Sequence, residues 1–129
     1  MTVTFFALDV EDKPGTLGRV ATILSEARIN IEAFAADSSG IRILTDNPGT
    51  TTDTLKKNGI PFQAMEVIEI ELPNQPGELA RIATALGNHG VNVATTFGMA
   101  GADNGGKIYI RVDDVDAAWD ALEEAQAAV

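Results

Sequence analysis

The chain contains no cysteine, one histidine and only nine lysine and arginine residues among 129. Without cysteine there is no disulfide framework and no thiolate zinc site, and with His89 alone a histidine-rich metal centre is excluded as well. The nine basic residues stand against 19 acidic ones, a formal charge of −10. Such a surface repels phosphate backbones and anionic membranes, so neither nucleic acid nor a membrane is expected as a partner. No apolar run approaches membrane-spanning length. The opening MTVTFFALDVEDKPG lacks a basic segment and meets acidic residues after a short apolar run. It reads as a strand rather than a signal peptide, and a cytoplasmic protein is expected. A nucleophile elbow, a paired base and a metal triad are missing too, since one histidine with Ser25, Ser38 and Ser39 forms no recognisable triad. No enzymatic activity and no cofactor are expected.

What the chain does contain is one phrase written twice, DKPGTLGRVATIL at Asp12 to Leu24 and NQPGELARIATAL at Asn74 to Leu86. At an offset of 62, Pro14, Gly15, Leu17, Arg19, Ala21, Thr22, Leu24 and Asn30 recur as Pro76, Gly77, Leu79, Arg81, Ala83, Thr84, Leu86 and Asn92, eight identities over 18 positions. Repetition of that density marks two copies of one structural unit. With 45% hydrophobic residues the whole chain can bury a core, but halves of about 65 residues lie near the lower limit for independent stability, so a shared buried surface is expected.

Each copy reads in the same order. Thr2 to Val10 is rich in strand formers, apolar on both alternating sets, which predicts a strand covered on both faces. After the Pro-Gly turn, Leu17, Val20, Ala21, Leu24 and Ala27 follow the spacing of an amphipathic helix. A hairpin around DSSG joins Ile29–Ala36 to Ile41–Thr45, and a helix over Thr50–Lys57 ends at the cap Asn58-Gly59. Phe62–Leu72 is a long strand with Ile68, Ile70 and Leu72 facing one way and Glu69 and Glu71 the other, placed to close copy one and open copy two. Copy two repeats the stripe at Leu79, Ile82, Ala83 and Leu86, alternating strands at Val91–Phe97 and Ile108–Val112, and a last helix with Val115, Ala118, Trp119, Leu122 and Ala125 inward. The fold class predicted is α+β, two ferredoxin-like βαββαβ units at 1–66 and 67–129, with antiparallel sheets and helices on one face. Only Glu123 to Val129 follow Leu122, so the last strand of the second unit is missing or vestigial.

A strand ending in Asp/Asn-x-Pro-Gly-x-Leu, a helix, and an apolar-Asn-apolar strand start resembles the ACT domain, the small-molecule sensing module of amino-acid metabolism. The motif stands as DKPGTL with INI and as NQPGEL with VNV. The resemblance covers nearly the whole chain and is to a stand-alone tandem ACT protein. It implies a regulatory or sensing protein that binds an amino acid at the interface of ACT units.

The residues of the turn support that implication physically. Pro14 and Pro76 fix φ where a helix begins, the following glycines allow close backbone approach, and the amides of Gly15, Thr16 and Leu17, or of Gly77, Glu78 and Leu79, are free donors at a positive helix end. A ligand carboxylate fits there, and its ammonium finds an acceptor in Asp12 or Asn74. By resemblance, Asn30 and Asn92 contribute from a neighbouring unit. Asn is commoner in the family where copy one has Asp12, which favours the loop of Asn74. Against this, Pro-Gly is a general turn signal, as Asn47-Pro48-Gly49 illustrates, and Asn30 and Asn92 can serve merely as backbone bonds at a strand start.

Other motifs dissolve. GADNGGKI, Gly101 to Ile108, has isoleucine where a phosphate loop needs serine or threonine, and a strand follows it, so it reads as a flexible hairpin. Asp113, Asp114, Asp116 and Asp120 begin a helix, where acids cap amides, and lack a calcium-loop pattern, so no metal is expected. His89 sits at a helix C-terminus, Arg19 and Arg81 on solvated helix faces, and Trp119 in the core. Two functions stay open. One is amino-acid sensing; the other is an interaction or regulatory subunit acting on an enzyme of amino-acid metabolism, with no ligand required. A strand apolar on both faces and an unpaired sheet edge predict a homodimer or higher oligomer.

Overall fold

The periodicities resolve, in a computed structural model describing residues 1–99 and 105–127, into strands and helices of the predicted order. These are β1 (Thr2–Leu8), α1 (Thr16–Glu26), β2 (Ile31–Asp37), β3 (Gly40–Thr45), α2 (Pro48–Lys57), β4 (Phe62–Leu72), α3 (Glu78–Asn88), β5 (Val93–Met99), β6 (Gly106–Val112) and α4 (Val115–Glu124). They form two compact units. The first is Thr4–Glu66; the second is Val67–Val129 together with Met1–Val3.

In the first unit the strands lie in the order β2-β3-β1-β4. β3 pairs antiparallel with both neighbours, and the register puts Phe6 against Ile43 and Leu8 against Ile41 on one face. Against that face pack Val20 and Leu24 of α1 and Leu55 of α2, all essentially solvent-free, so the helices share one side of the sheet. The other side is not bare, since Phe5 and Leu44 are buried too.

The second unit repeats the pattern as β4-β6-β5. Ile68 faces Ile110 and Ile70 faces Ile108 across the antiparallel ladder. Their side of the sheet meets Ile82 and Leu86 of α3 and Ala118, Ala121 and Leu122 of α4. Trp119 is half-buried at the rim of this core, and Val115, expected within the stripe, is exposed.

β4 serves both units, as its length suggested: Phe62–Glu66 belongs to the first and Val67–Leu72 to the second. Among the described residues no strand follows α4, and another segment pairs with β4 instead. The Glu69 amide donates to the Met1 carbonyl at 2.8 Å and the Met1 nitrogen donates back to the Glu69 carbonyl at 3.4 Å, the reciprocal rung of an antiparallel pair. Residues Met1–Val3 thus occupy the vacant place beside β4.

Two local expectations are corrected. Leu17 and Leu79 were assigned to the buried stripes, yet they are 48% and 56% exposed. Both sit in the first helical turn, and burial begins one turn later at Val20 and Ile82. Pro14 and Pro76 do not open their helices either: the N-caps are Gly15 and Gly77, and helix begins at Thr16 and Glu78. Only Pro48 takes the first helical position, where Asn47 caps the helix by accepting from the Thr50 amide at 3.0 Å.

Candidate functional site

The two Pro-Gly loops are built alike. A tight turn forms as the Lys13 amide donates to Glu11 and the Thr16 amide to Lys13, at 3.1 and 3.3 Å; in the second loop Gln75 donates to Pro73 and Glu78 to Gln75, at 2.9 and 3.4 Å. Gly15 and Gly77 then adopt φ of 90° and 89°, a left-handed conformation that glycine takes without strain. The first internal helix bonds follow, from Arg19 to Gly15 and Arg81 to Gly77. No side chain caps either helix.

The expected donor set therefore shifts. The Thr16 and Glu78 amides are spent in the turns, while the amides of Gly15, Leu17 and Gly18, and of Gly77, Leu79 and Ala80, have no acceptor among the described residues. Four unpaired amides at a helix start are ordinary; here no side chain competes for them.

Chemistry distinguishes the loops. Lys13 and Thr16 of the first stand where the second has Gln75 and Glu78. The Glu78 carboxylate already occupies the start of α3, bonded to Arg81 at 3.0 Å. A second carboxylate there meets like charge. At the first loop the corresponding side chain is a hydroxyl and a lysine lies close by.

The first loop also lines a cleft of 260 Å³, bounded by Asp12, Lys13, Thr16 and Leu17 on one side and by Asp37, Ser38 and Ile41 of the β2–β3 hairpin on the other. Its electrostatics are mixed. The Lys13 ammonium, 3.0 Å from Glu11, holds the Glu11 carboxyl below the usual carboxylate range by hydrogen bonding and charge. The hydroxyl and then the amide of Ser39 do the same for Asp37. Asp12 is exposed and makes no hydrogen bond or ion pair among the described residues. The cleft thus sets unpaired amides, a hydroxyl and an ammonium near ionised carboxylates, with Leu17 and Ile41 as apolar surface.

Asp12, Pro14, Gly15, Thr16 and Leu17 are together at this end of the first unit. Asn30 is not: α1, 11 residues or about 16 Å long, separates it from the cleft. The second unit repeats the separation, with Asn74, Pro76, Gly77, Glu78 and Leu79 before α3 and Asn92 after it. Both asparagines are exposed. Their backbones are bonded to Asp46 and Asp113, while their side-chain amides make no hydrogen bond among the described residues.

Sequence reasoning missed Asp46 and the part played by Asp37 and Ser38, and it read Asp113 only as one of the acids that begin the last helix. The signal existed but was displaced: the Asn-to-Asp separation is 16 residues in the first unit and 21 in the second, so a fixed offset cannot align them.

The remaining candidates have structural duties. Asp114 caps α4 by accepting from the Ala117 amide at 3.0 Å. His89 ends α3, bonded to the Ala85 carbonyl and to Glu124, each at 3.0 Å. These two helices enclose a groove of 450 Å³ whose charged groups are paired, with Arg81 on Glu78 and the Ala125 carbonyl. Of Gly101–Ile108, residues 101–104 lie outside the described residues, while Lys107 enters β6 and pairs with Glu69 at 3.0 Å. Among the described residues no cluster of His, Cys, Asp or Glu could hold a metal ion, and no helix is long and apolar enough to cross a membrane.

Two split βαβ units, each with a glycine-capped helix behind a Pro-Gly loop, define a tandem ferredoxin-like protein. A model of the ACT domain pair matches residues 1–126, and the chain belongs to that family. No curated protein matches it. The crystal structure of BT0572 from Bacteroides thetaiotaomicron is similar at 25% identity with a TM-score of 0.90, over 99% of this chain and 91% of that one. The ligand-free regulatory subunit of aspartate kinase from Thermus thermophilus superposes with a TM-score of 0.60 at 16% identity, over 96% and 92% of the two chains. E. coli aspartokinase III in complex with lysine and aspartate gives a TM-score of 0.61 at 14% identity, over 96% of this chain and 31% of that one. The last two are likenesses of fold.

Proposed function

We propose that this ACT domain pair is a regulatory protein that senses a small amino acid, bound at the cleft of the first unit. The observation that carries the reading is the cleft's pairing of opposites. The amide of Leu17, with Lys13 and Thr16, suits a carboxylate; Asp12 and Asp37 suit an ammonium on the same ligand. The loop of Asn74, which the family pattern favoured, is the weaker candidate in this reading because the Glu78 side chain, paired with Arg81, stands at the start of α3 where the first loop has the Thr16 hydroxyl. The cleft is open to solvent, so closure by a facing ACT unit of a second copy, bringing Asn30 or Asn92, completes the site in this reading. Phe34 of edge strand β2, 63% exposed, supports such an oligomer. Its place is the cytoplasm, where amino-acid pools are regulated.

A thermal-shift screen with the twenty amino acids tests this. Ligand at 100 times Kd stabilises by about 2.7 kcal/mol. Asp12→Ala is expected to abolish the shift, Asn74→Ala to preserve it, and light scattering to give at least a dimer. Silence of the wild type toward every amino acid at millimolar concentration refutes the reading. One observation favours the second reading, a regulatory subunit of an amino-acid-metabolism enzyme: Leu17 and Leu79 are exposed at equivalent points of both units. A copurifying enzyme whose capture depends on those leucines would support it.

A further inference from the structure

We infer that Asp46 and Asp113 are positioning residues, each locking the strand entry of its unit so that the side chain of Asn30 or Asn92 is presented to a ligand; this rests on the amino-acid reading above. The Asn30 amide donates to Asp46 Oδ1 at 3.0 Å, and the Asp46 amide donates back to the Asn30 carbonyl at 3.1 Å. The second unit closes the same ring between Asn92 and Asp113, at 2.9 and 3.2 Å. Both backbone groups of each asparagine are thereby satisfied by one aspartate. Exposed asparagine commonly folds onto nearby backbone; here the aspartate has taken the backbone partners, and the asparagine amide is left facing solvent.

A second irregularity recurs at the same place. Ile31 opposes Thr45 and Ala33 opposes Leu44, which leaves Glu32 as an extra residue in the ladder; Val93 opposes Val112 and Thr95 opposes Arg111, which leaves Ala94. Bulges bend a strand and re-aim its side chains, and they collect beside functional sites. The aspartates are themselves anchored, because each immediately precedes the N-cap of the unit's second helix, Asn47 or Asp114. The latch therefore ties the asparagine to a helix start rather than to a loop. Its survival in both units, across hairpins that differ in length by five residues, indicates that the asparagine's placement, not the hairpin's, is what is held.

The test uses the full chain, the twenty amino acids as probes, and melting temperatures with and without each. Replacing both aspartates by alanine is expected to weaken apparent affinity for the responding amino acid about tenfold, the low end of what loss of a supporting partner costs at metal sites. Asp→Asn at both sites keeps an acceptor oxygen and is expected to restore affinity. Each single alanine variant reports which unit supplies the asparagine and stands in if the double variant does not fold. A merely structural latch lowers the unliganded melting temperature but leaves affinity as in the wild type, and that result overturns the inference. A wild type that responds to no amino acid overturns the sensing reading and this inference with it; a wild type that responds while every alanine variant responds equally overturns this inference alone.

Discussion

Replacing Gly77 by alanine isolates a purely conformational cost. Gly77 sits at φ 89° and ψ −7°, and a Cβ built there meets no heavy atom within 4 Å. Sterics with neighbours are therefore absent, and the penalty is that of holding an L-residue in the left-handed region, about 1–2 kcal/mol. For a chain of this size that lowers the melting temperature by roughly 4–8 °C. Gly87, in the same helix, supplies the control. It is exposed, its Cβ also meets open space, and its φ is not positive. Alanine there removes unfolded-state entropy and is expected to stabilise by about 0.4–1 kcal/mol. Gly98 gives the opposite extreme, since at φ 153° its Cβ would lie 2.2 Å from the Lys107 carbonyl oxygen and 2.7 Å from the Ile108 Cα. Thermal unfolding followed by circular dichroism should rank the variants Gly87→Ala above wild type, then Gly77→Ala, then Gly98→Ala. A Gly77→Ala protein as stable as wild type refutes the glycine-capped geometry of the loop.

Leu24→Ala, which empties a fully buried site, is expected to cost about 2–5 kcal/mol in urea unfolding, whereas Leu17→Ala on the same helix costs less than about 1 kcal/mol; equal losses would return Leu17 to the core. The hydrogen bond and charge of Glu69 raise the Lys107 ammonium above the ordinary lysine value. Its contribution is thus complete below the unfolded lysine pKa and is lost as pH rises through the folded one. The difference in urea midpoint between wild type and Lys107→Met should be present at pH 9 and shrink toward pH 12, and a constant difference would refute the pairing. Removing Met1–Val3 takes away the acceptor of the Glu69 amide. Hydrogen exchange at that amide should accelerate at least about tenfold, while unchanged protection would mean that β4 is held otherwise.

Much of the architecture follows from local chemistry that the sequence displays. Apolar residues at helical spacing, alternation along Phe62–Leu72, the DSSG turn and the Asn58-Gly59 cap each act over a few residues, and the repeat at a constant offset announces two units. The same locality explains the failures. Leu17 and Leu79 obey the helical period, but burial needs a neighbour to pack on, and the stripe acquires one only at Val20 and Ile82. The three Pro-Gly pairs look alike in sequence, yet Pro48 enters its helix while Pro14 and Pro76 stop two residues short. What differs is the cap: the Asn47 side chain bonds an amide of its helix, and no side chain caps the other two.

The candidate site was half legible. The loop residues were legible because they lie within one motif; the hairpin wall of Asp37 and Ser38 and the latch role of Asp46 and Asp113 were not, because those residues are distant in sequence, the two aspartates 16 and 21 residues from the asparagines they hold. By itself the sequence determined the two units and their order of elements, since these depend on the period and type of neighbouring residues. Only tertiary structure decided that Met1–Val3 complete the second sheet, that the β2–β3 hairpin walls a cleft at the first loop, and that an aspartate holds each asparagine, because strand pairing brings together groups that no local pattern relates.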